Sequence, residues 1–167
     1  MKKKCGTINS LRVGGEPSNG QTRSNSTQLG GGKSPHRRPA PKCPYCENPS
    51  VLVTGDTIYP LRSDLRHKLF WLCRPCDAYV GCHPIGNGDG TKPLGRLADA
   101  PLRKAKMSVH AALDPLWKDG LLTRRMAYHH LAVKLGIPPK ECHIGWFDIR
   151  TCERAVEVCK ELQQLFE

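Results

Sequence analysis

Between Val51 and Val80 the apolar residues fall in short clusters set apart by turn-forming and charged residues: Val51-Leu52-Val53, Thr57-Ile58-Tyr59, Leu69-Phe70-Trp71-Leu72 and Ala78-Tyr79-Val80. Their shortness and their β-branched and aromatic content predict strands of a small sheet, with Gly55-Asp56 turning the first hairpin. Pro60 to Lys68 is then a protruding tip. Phe70 and Trp71 are neighbours and in a strand face opposite ways. A small sheet buries one such residue more readily than both, so one of them is expected to stand out as an exposed platform.

After the glycine-rich stretch from Gly86 to Gly90 the apolar spacing becomes helical. A first helix begins at Asp99 as N-cap and aligns Leu102, Ala105, Val109, Ala112, Leu113 and Leu116, with Pro115 kinking or restarting it. A second begins at Thr123, buries Tyr128, Leu131, Ala132 and Leu135, and stops at Gly136 ahead of Pro138-Pro139. A third begins at Asp148 and carries Cys152, Ala155, Val156, Cys159, Leu162 and Phe166 on one stripe, which makes both cysteines core thiols. The predicted class is α+β: a small β ribbon over residues 43–83, then a three-helix unit over residues 84–167 packed on it. No apolar run approaches the roughly 20 residues that cross a bilayer, so no membrane partner is expected.

Charge sets the first 42 residues apart. The chain carries a net charge of +11, and residues 1–42 contribute most of it, with nine Lys or Arg against the single Glu16. Rich in Gly, Ser, Asn and Pro, this segment has almost no large apolar side chain to offset the entropy of ordering, which predicts a disordered basic tail. It suits either attraction to nucleic-acid phosphates by counterion release or a solubilising leader.

Among nine cysteines, two pairs have ligand spacing: Cys43-Pro44-Tyr45-Cys46 and Cys73-Arg74-Pro75-Cys76. Four thiolates in two Cys-x2-Cys knuckles close a tetrahedron around one zinc ion and leave no place for water, so the ion is expected to be structural. The 26 residues between the knuckles exceed the usual gap and require a long hairpin with an extended tip. Met1-Lys2-Lys3-Lys4 leads into polar residues rather than an apolar core, so the thiols are read as reduced and the chain as cytoplasmic.

The ribbon resembles the four-cysteine zinc modules at the C-terminal end of type IA DNA topoisomerases, through Cys43-Pro44-Tyr45-Cys46 and the aromatic strand Phe70-Trp71-Leu72 entering the second knuckle. From Cys43 to Cys159 the chain resembles a phage-associated zinc-finger-containing domain family of unknown function. That likeness is carried by Cys76-Asp77-Ala78-Tyr79-Val80-Gly81, His83, Pro93-Leu94-Gly95-Arg96-Leu97-Ala98, Leu102-Arg103, His110, Asp114-Pro115-Leu116-Trp117, Ala127-Tyr128, His143-Ile144 and Cys152. The resemblance implies a fold and a zinc site, without a biochemical role. Cys82 and Cys142 stand outside the family pattern.

Cys82-His83 and Cys142-His143 echo one another, each followed by Ile-Gly within three residues. His83 and His143, joined by His110 from the first helix, are candidates for a second metal or catalytic site, against the blander role of imidazoles that brace the ribbon on the helices. The function expected is a zinc-ribbon nucleic-acid-binding accessory protein of phage or mobile-element type, acting on single-stranded or distorted DNA. Its phosphate contacts would be Lys42, Arg62, Arg66, Lys68 and Arg74, with Trp71 or Tyr45 as a stacking face. Arg103 and Lys106 share a helix stripe with His110, and Arg124 and Arg125 sit in the first turn of the second helix, where an anion would relieve their conflict with the macrodipole. One alternative is a protein-docking module acting on a host polymerase, nuclease or defence component. The other is a metal-dependent nuclease built on the histidines, which lacks an obvious carboxylate pair; an enzyme is the less favoured outcome.

Overall fold

The computed structural model describes residues 39–86 and 89–166. The basic tail expected over residues 1–42 lies, apart from its last four residues, outside them. Strands β1 (Val51–Thr54), β2 (Leu69–Cys73) and β3 (Ala78–Gly81) form an antiparallel sheet in that order. Leu52 lies opposite Trp71, and Trp71 opposite Val80. Isolated bridges from Pro93 to Cys82 and from Ala98 to Tyr79 cover the outer edge of β3.

Thr57-Ile58-Tyr59 is not a strand. The chain leaves β1 through a short helical turn, α1 (Gly55–Ile58), followed by a 3-10 turn at Ser63–Leu65. Two local features impose this: the Thr54 hydroxyl bonds the Asp56 carboxylate, and the Gly55 backbone runs so close to Leu65 that a Cβ there would stand 1.9 Å from its carbonyl oxygen. The exposed platform is also absent, since Phe70 and Trp71 are both buried, at 9% and 5% exposure. Each face of the ribbon is covered. Trp71 packs with Cys43, Cys73, Ala78 and Leu97, whereas Phe70 meets the rings of Tyr59 and Tyr79 edge-on at 5.8 and 6.3 Å.

Helix starts fall where the capping residues lie. In α2 (Ala100–Leu113) the Asp99 carboxylate accepts from the Leu102 amide at 3.1 Å; in α4 (Arg124–Leu135) the Thr123 hydroxyl accepts from Met126 at 3.2 Å; before α5 (Ile149–Phe166) Asp148 accepts from Thr151 at 2.8 Å. Pro115 restarts the chain as the single turn α3 (Pro115–Lys118). Gly136 ends α4 at φ 68, and Ile137 donates to Ala132 in a Schellman closure. The helices share a core of Leu102, Val109, Leu113, Leu116, Leu131 and Leu162, among others. Cys152 and Cys159 are fully buried in it, and burial pushes their thiols up to about 11 and about 12.

Ribbon and helices meet along a backbone seam. The carbonyl of Gly145, in the turn Ile144–Trp146 before α5, accepts from the Arg96 amide at 3.1 Å and from the Lys106 ammonium at 2.6 Å. A Cβ on Gly95 would lie 2.1 Å from that oxygen. Backbone atoms cannot yield as a side chain would, so Gly95→Ala is expected to destabilise the fold by about 1–3 kcal/mol. Denaturant unfolding checks this; an unchanged midpoint would contradict so close an approach.

Candidate metal centre

Each knuckle is a tight turn closed by its own backbone. Cys43 donates to the Asn48 carbonyl and Glu47 to the Cys43 carbonyl, both at 2.9 Å, while Lys42 and Pro49 bridge the base of the loop. In the second, Asp77 donates to the Arg74 carbonyl at 3.3 Å. The residue after the second cysteine is left-handed in both, with φ 64 at Glu47 and φ 46 at Asp77. These turns aim the four thiols inward, and every Sγ of Cys43, Cys46, Cys73 and Cys76 lies within 4.8 Å of the other three. The Sγ atoms of Cys46 and Cys73 are 3.5 Å apart. Zn–S bonds of about 2.3 Å give a tetrahedron with edges near 3.8 Å, so the set fits one structural zinc ion. The thiols differ as proton acids: the Asn48 backbone draws Cys46 down to about 7, and burial pushes Cys73 up to about 11.

Two contacts hold the knuckles on α2. The Tyr45 hydroxyl donates to the Asp99 carboxylate at 3.0 Å and accepts from the Asp99 amide at 3.1 Å. Arg103 donates to the carbonyls of Asp77 and Ala98 at 2.9 and 2.8 Å, with its guanidinium 3.9 Å above the Tyr79 ring. Neither link has a signal in the sequence, because the partners lie far apart along the chain and have ordinary side chains.

The residues expected at a nucleic-acid surface divide accordingly. Lys42 and Arg74 are exposed on the knuckles, and Arg62, Arg66 and Lys68 on the tip, with Arg62 paired to Asp64 at 2.7 Å. Trp71 offers no stacking face: it is buried, and its indole N–H donates to the Thr91 carbonyl at 2.8 Å. Tyr45 is half-buried and its hydroxyl is committed to Asp99. Arg103 and Lys106 do not form a free basic stripe, since both hold backbone carbonyls at the ribbon–helix junction. Arg124 is exposed and lies 4.9 Å from the Tyr128 ring; Arg125 is exposed beside it.

The histidines are not brought together. Among the described residues the four cysteines are the one group of three or more His, Cys, Asp or Glu whose ligand atoms converge. His83 is half-buried on the strand extension, where its backbone N–H bonds Lys92; His110 is exposed on α2 with Nδ1 3.4 Å from Asp114; His143 is exposed. Cys82 packs near the metal thiols, whereas Cys142 lies in the helical core.

Desolvation pulls the half-buried Lys106 from its ordinary 10.5 down to about 8. The folded chain therefore binds fewer protons at this site than the unfolded chain between those values, so this contribution to stability rises with pH through that window and is lost as pH falls through about 8. Lys106→Met is expected to remove this rise, so that the stability of the variant relative to the parent chain falls on going from neutral pH to about pH 9.5. Paired denaturation curves at the two pH values check the sign; a constant difference contradicts it.

Cys43→Ser is expected to release zinc and unfold the ribbon, because structural zinc contributes on the order of 10–16 kcal/mol in comparable small peptides. Zinc release with a thiol reagent and circular dichroism check this together. Full zinc content with an unchanged fold would remove the four-thiolate assignment.

Comparison with known proteins agrees with this centre. A family model described as a zinc-finger-containing domain matches residues 40–162, which takes in both knuckles, the sheet and nearly all of the helical core. No curated protein and no solved structure matches the chain. With most of its length matched and four thiols in ligand geometry, the chain belongs to the zinc-finger-containing domain family.

Proposed function

We propose that this zinc-binding module is a nucleic-acid-binding accessory protein of phage or mobile-element type, acting in the cytoplasm on single-stranded or distorted DNA. One observation carries the reading. Lys42, Arg66, Lys68 and Arg74 are exposed around the ribbon, and none of them forms an ion pair within the described residues. Cations left in water beside a rigid scaffold are suited to phosphate, whereas Arg103 and Lys106 are occupied in holding the fold together. A four-thiolate shell leaves the metal no open position, so its part is to hold the knuckles that carry Lys42 and Arg74 rather than to do chemistry. The nine Lys or Arg of residues 1–42 add to the same field. Among the described residues no helix is long and apolar enough to cross a membrane.

A second reading has its own support. Leu61 at the tip is 96% exposed, which suits docking on a host polymerase, nuclease or defence component. Salt dependence separates the two, because phosphate contacts release counterions and a leucine contact does not.

Fluorescence anisotropy with a single-stranded oligonucleotide across a salt series is the direct test. The expected slope of log affinity against log salt is about −0.7 per phosphate contacted. Removing residues 1–40 is expected to flatten that slope by several contacts while the fold persists, and Lys68→Glu to weaken binding further. An affinity indifferent to salt would favour the docking reading.

A further inference from the structure

Beside the second knuckle an open cleft of about 250 Å³ is bordered by Thr57, Ile58, Leu72, Arg74, Asp77 and Tyr79. Leu72 and Tyr79 are cross-strand partners and form an apolar floor. Around it stand three kinds of polar group: the Thr57 hydroxyl, the Arg74 guanidinium and the Asp77 carboxylate. Drug-sized sites run from about 300 to 1,000 Å³, so this cleft takes one flat ring system and not a larger ligand.

The rim groups retain bonding capacity. Arg74 is exposed and makes no ion pair within the described residues. The Asp77 side chain is 79% exposed, and its contact with Arg103 is long at 3.5 Å, so the carboxylate still has lone pairs to offer. Tyr79 is held in place by the Arg103 guanidinium over its ring at 3.9 Å and through its hydroxyl by Tyr59 at 3.0 Å. An apolar floor with an acceptor-only carboxylate and a cation on its rim, both carried by the second knuckle turn, matches a base with an amino group, attached to a phosphate.

We propose that this cleft is a nucleobase subsite that takes one unpaired base carrying an exocyclic amino group, cytosine above all, with Asp77 accepting from the amino group and Arg74 holding the adjoining phosphate. The proposal rests on the nucleic-acid reading and supplies the base site that Trp71 and Tyr45 do not.

The test uses the full zinc-loaded chain with 12-nucleotide oligo(dC) and oligo(dT) at pH 7.5 and one salt concentration. A carboxylate accepting from cytosine N4 is expected to favour oligo(dC) by about fivefold or more. Asp77→Gly is the informative variant, because glycine takes φ 46 without cost and the fold should hold. Zinc content checks that it does. The variant is expected to level the two affinities, and Arg74→Ala to weaken both and reduce the salt slope by about one contact. Equal affinities in the parent chain, or a preference that survives Asp77→Gly, overturn the subsite while leaving nucleic-acid binding in place. If neither oligonucleotide binds, the nucleic-acid reading itself falls, and the subsite with it.

Discussion

Closure of the four-thiolate centre is the constraint on which the ribbon depends. The sheet has three strands of four or five residues, and three strands stand alone only when a hydrophobic face is covered. Part of that cover on the Trp71 side is the metal thiols themselves, since Cys43 and Cys73 pack in the same cluster as Trp71, Ala78 and Leu97. The metal site is therefore part of the core as well as a cross-link. It joins the loop before β1 to the β2–β3 turn, two segments that no strand pairing brings together. Losing the ion would at once leave buried thiolates without a counter-charge, so that they take up protons or reorient, and open the floor under Trp71.

The centre is coupled to the helices by polar contacts more than by apolar ones. Asp99 stands at the crossing point: its carboxylate caps α2 through Leu102 and accepts from Tyr45 of the first knuckle, while its amide donates to the same tyrosine. Arg103, one turn later, reaches the second knuckle. The first turn of α2 therefore holds both knuckles, and its capping energy and the placement of the metal loops are not independent quantities. The glycine seam between residues 95 and 145 completes the junction by close backbone approach, which explains why no side-chain pattern announces it.

What was legible in the sequence was local. Asp99, Thr123 and Asp148 act within three residues of themselves, so their caps could be read directly, and the thiol pairs are spaced by the geometry of a single knuckle. Gly136 ended its helix for the same reason. The errors arose where distant residues decide the outcome. Trp71 looked like an exposed aromatic because Leu97 and the Thr91 carbonyl, which bury and bond it, lie more than 15 residues away. Thr57-Ile58-Tyr59 has strand composition, yet the Thr54–Asp56 contact and the approach of Leu65 to Gly55 bend it into a turn. The echo of His83 and His143 is one of sequence: the first follows a bridge on the sheet edge and the second a turn before α5, and among the described residues they form no convergent cluster with His110.

Charge shows the same division most clearly. A count of cations treats Arg62, Arg66, Lys68, Arg74, Arg103, Lys106 and Arg124 alike, but the fold assigns them different tasks. Arg103 and Lys106 point their donors at backbone carbonyls of the junction, and the cost of burying the ammonium shows in the lowered proton affinity of Lys106. Arg124 rests on an aromatic ring, and Arg62 is neutralised by its neighbour Asp64. Removing an interior cation changes stability, whereas removing one on the rim changes what the surface attracts. Among the exposed cations of the ribbon, Lys42 and Arg74 sit on the two knuckles, next to the thiols, whereas Arg66 and Lys68 lie at the far end of the β1–β2 hairpin. On the nucleic-acid reading proposed above, a chelator should weaken binding before it unfolds the helices, since Lys42 and Arg74 stand on the loops that the zinc shell holds while the helical core contains none of its four thiols.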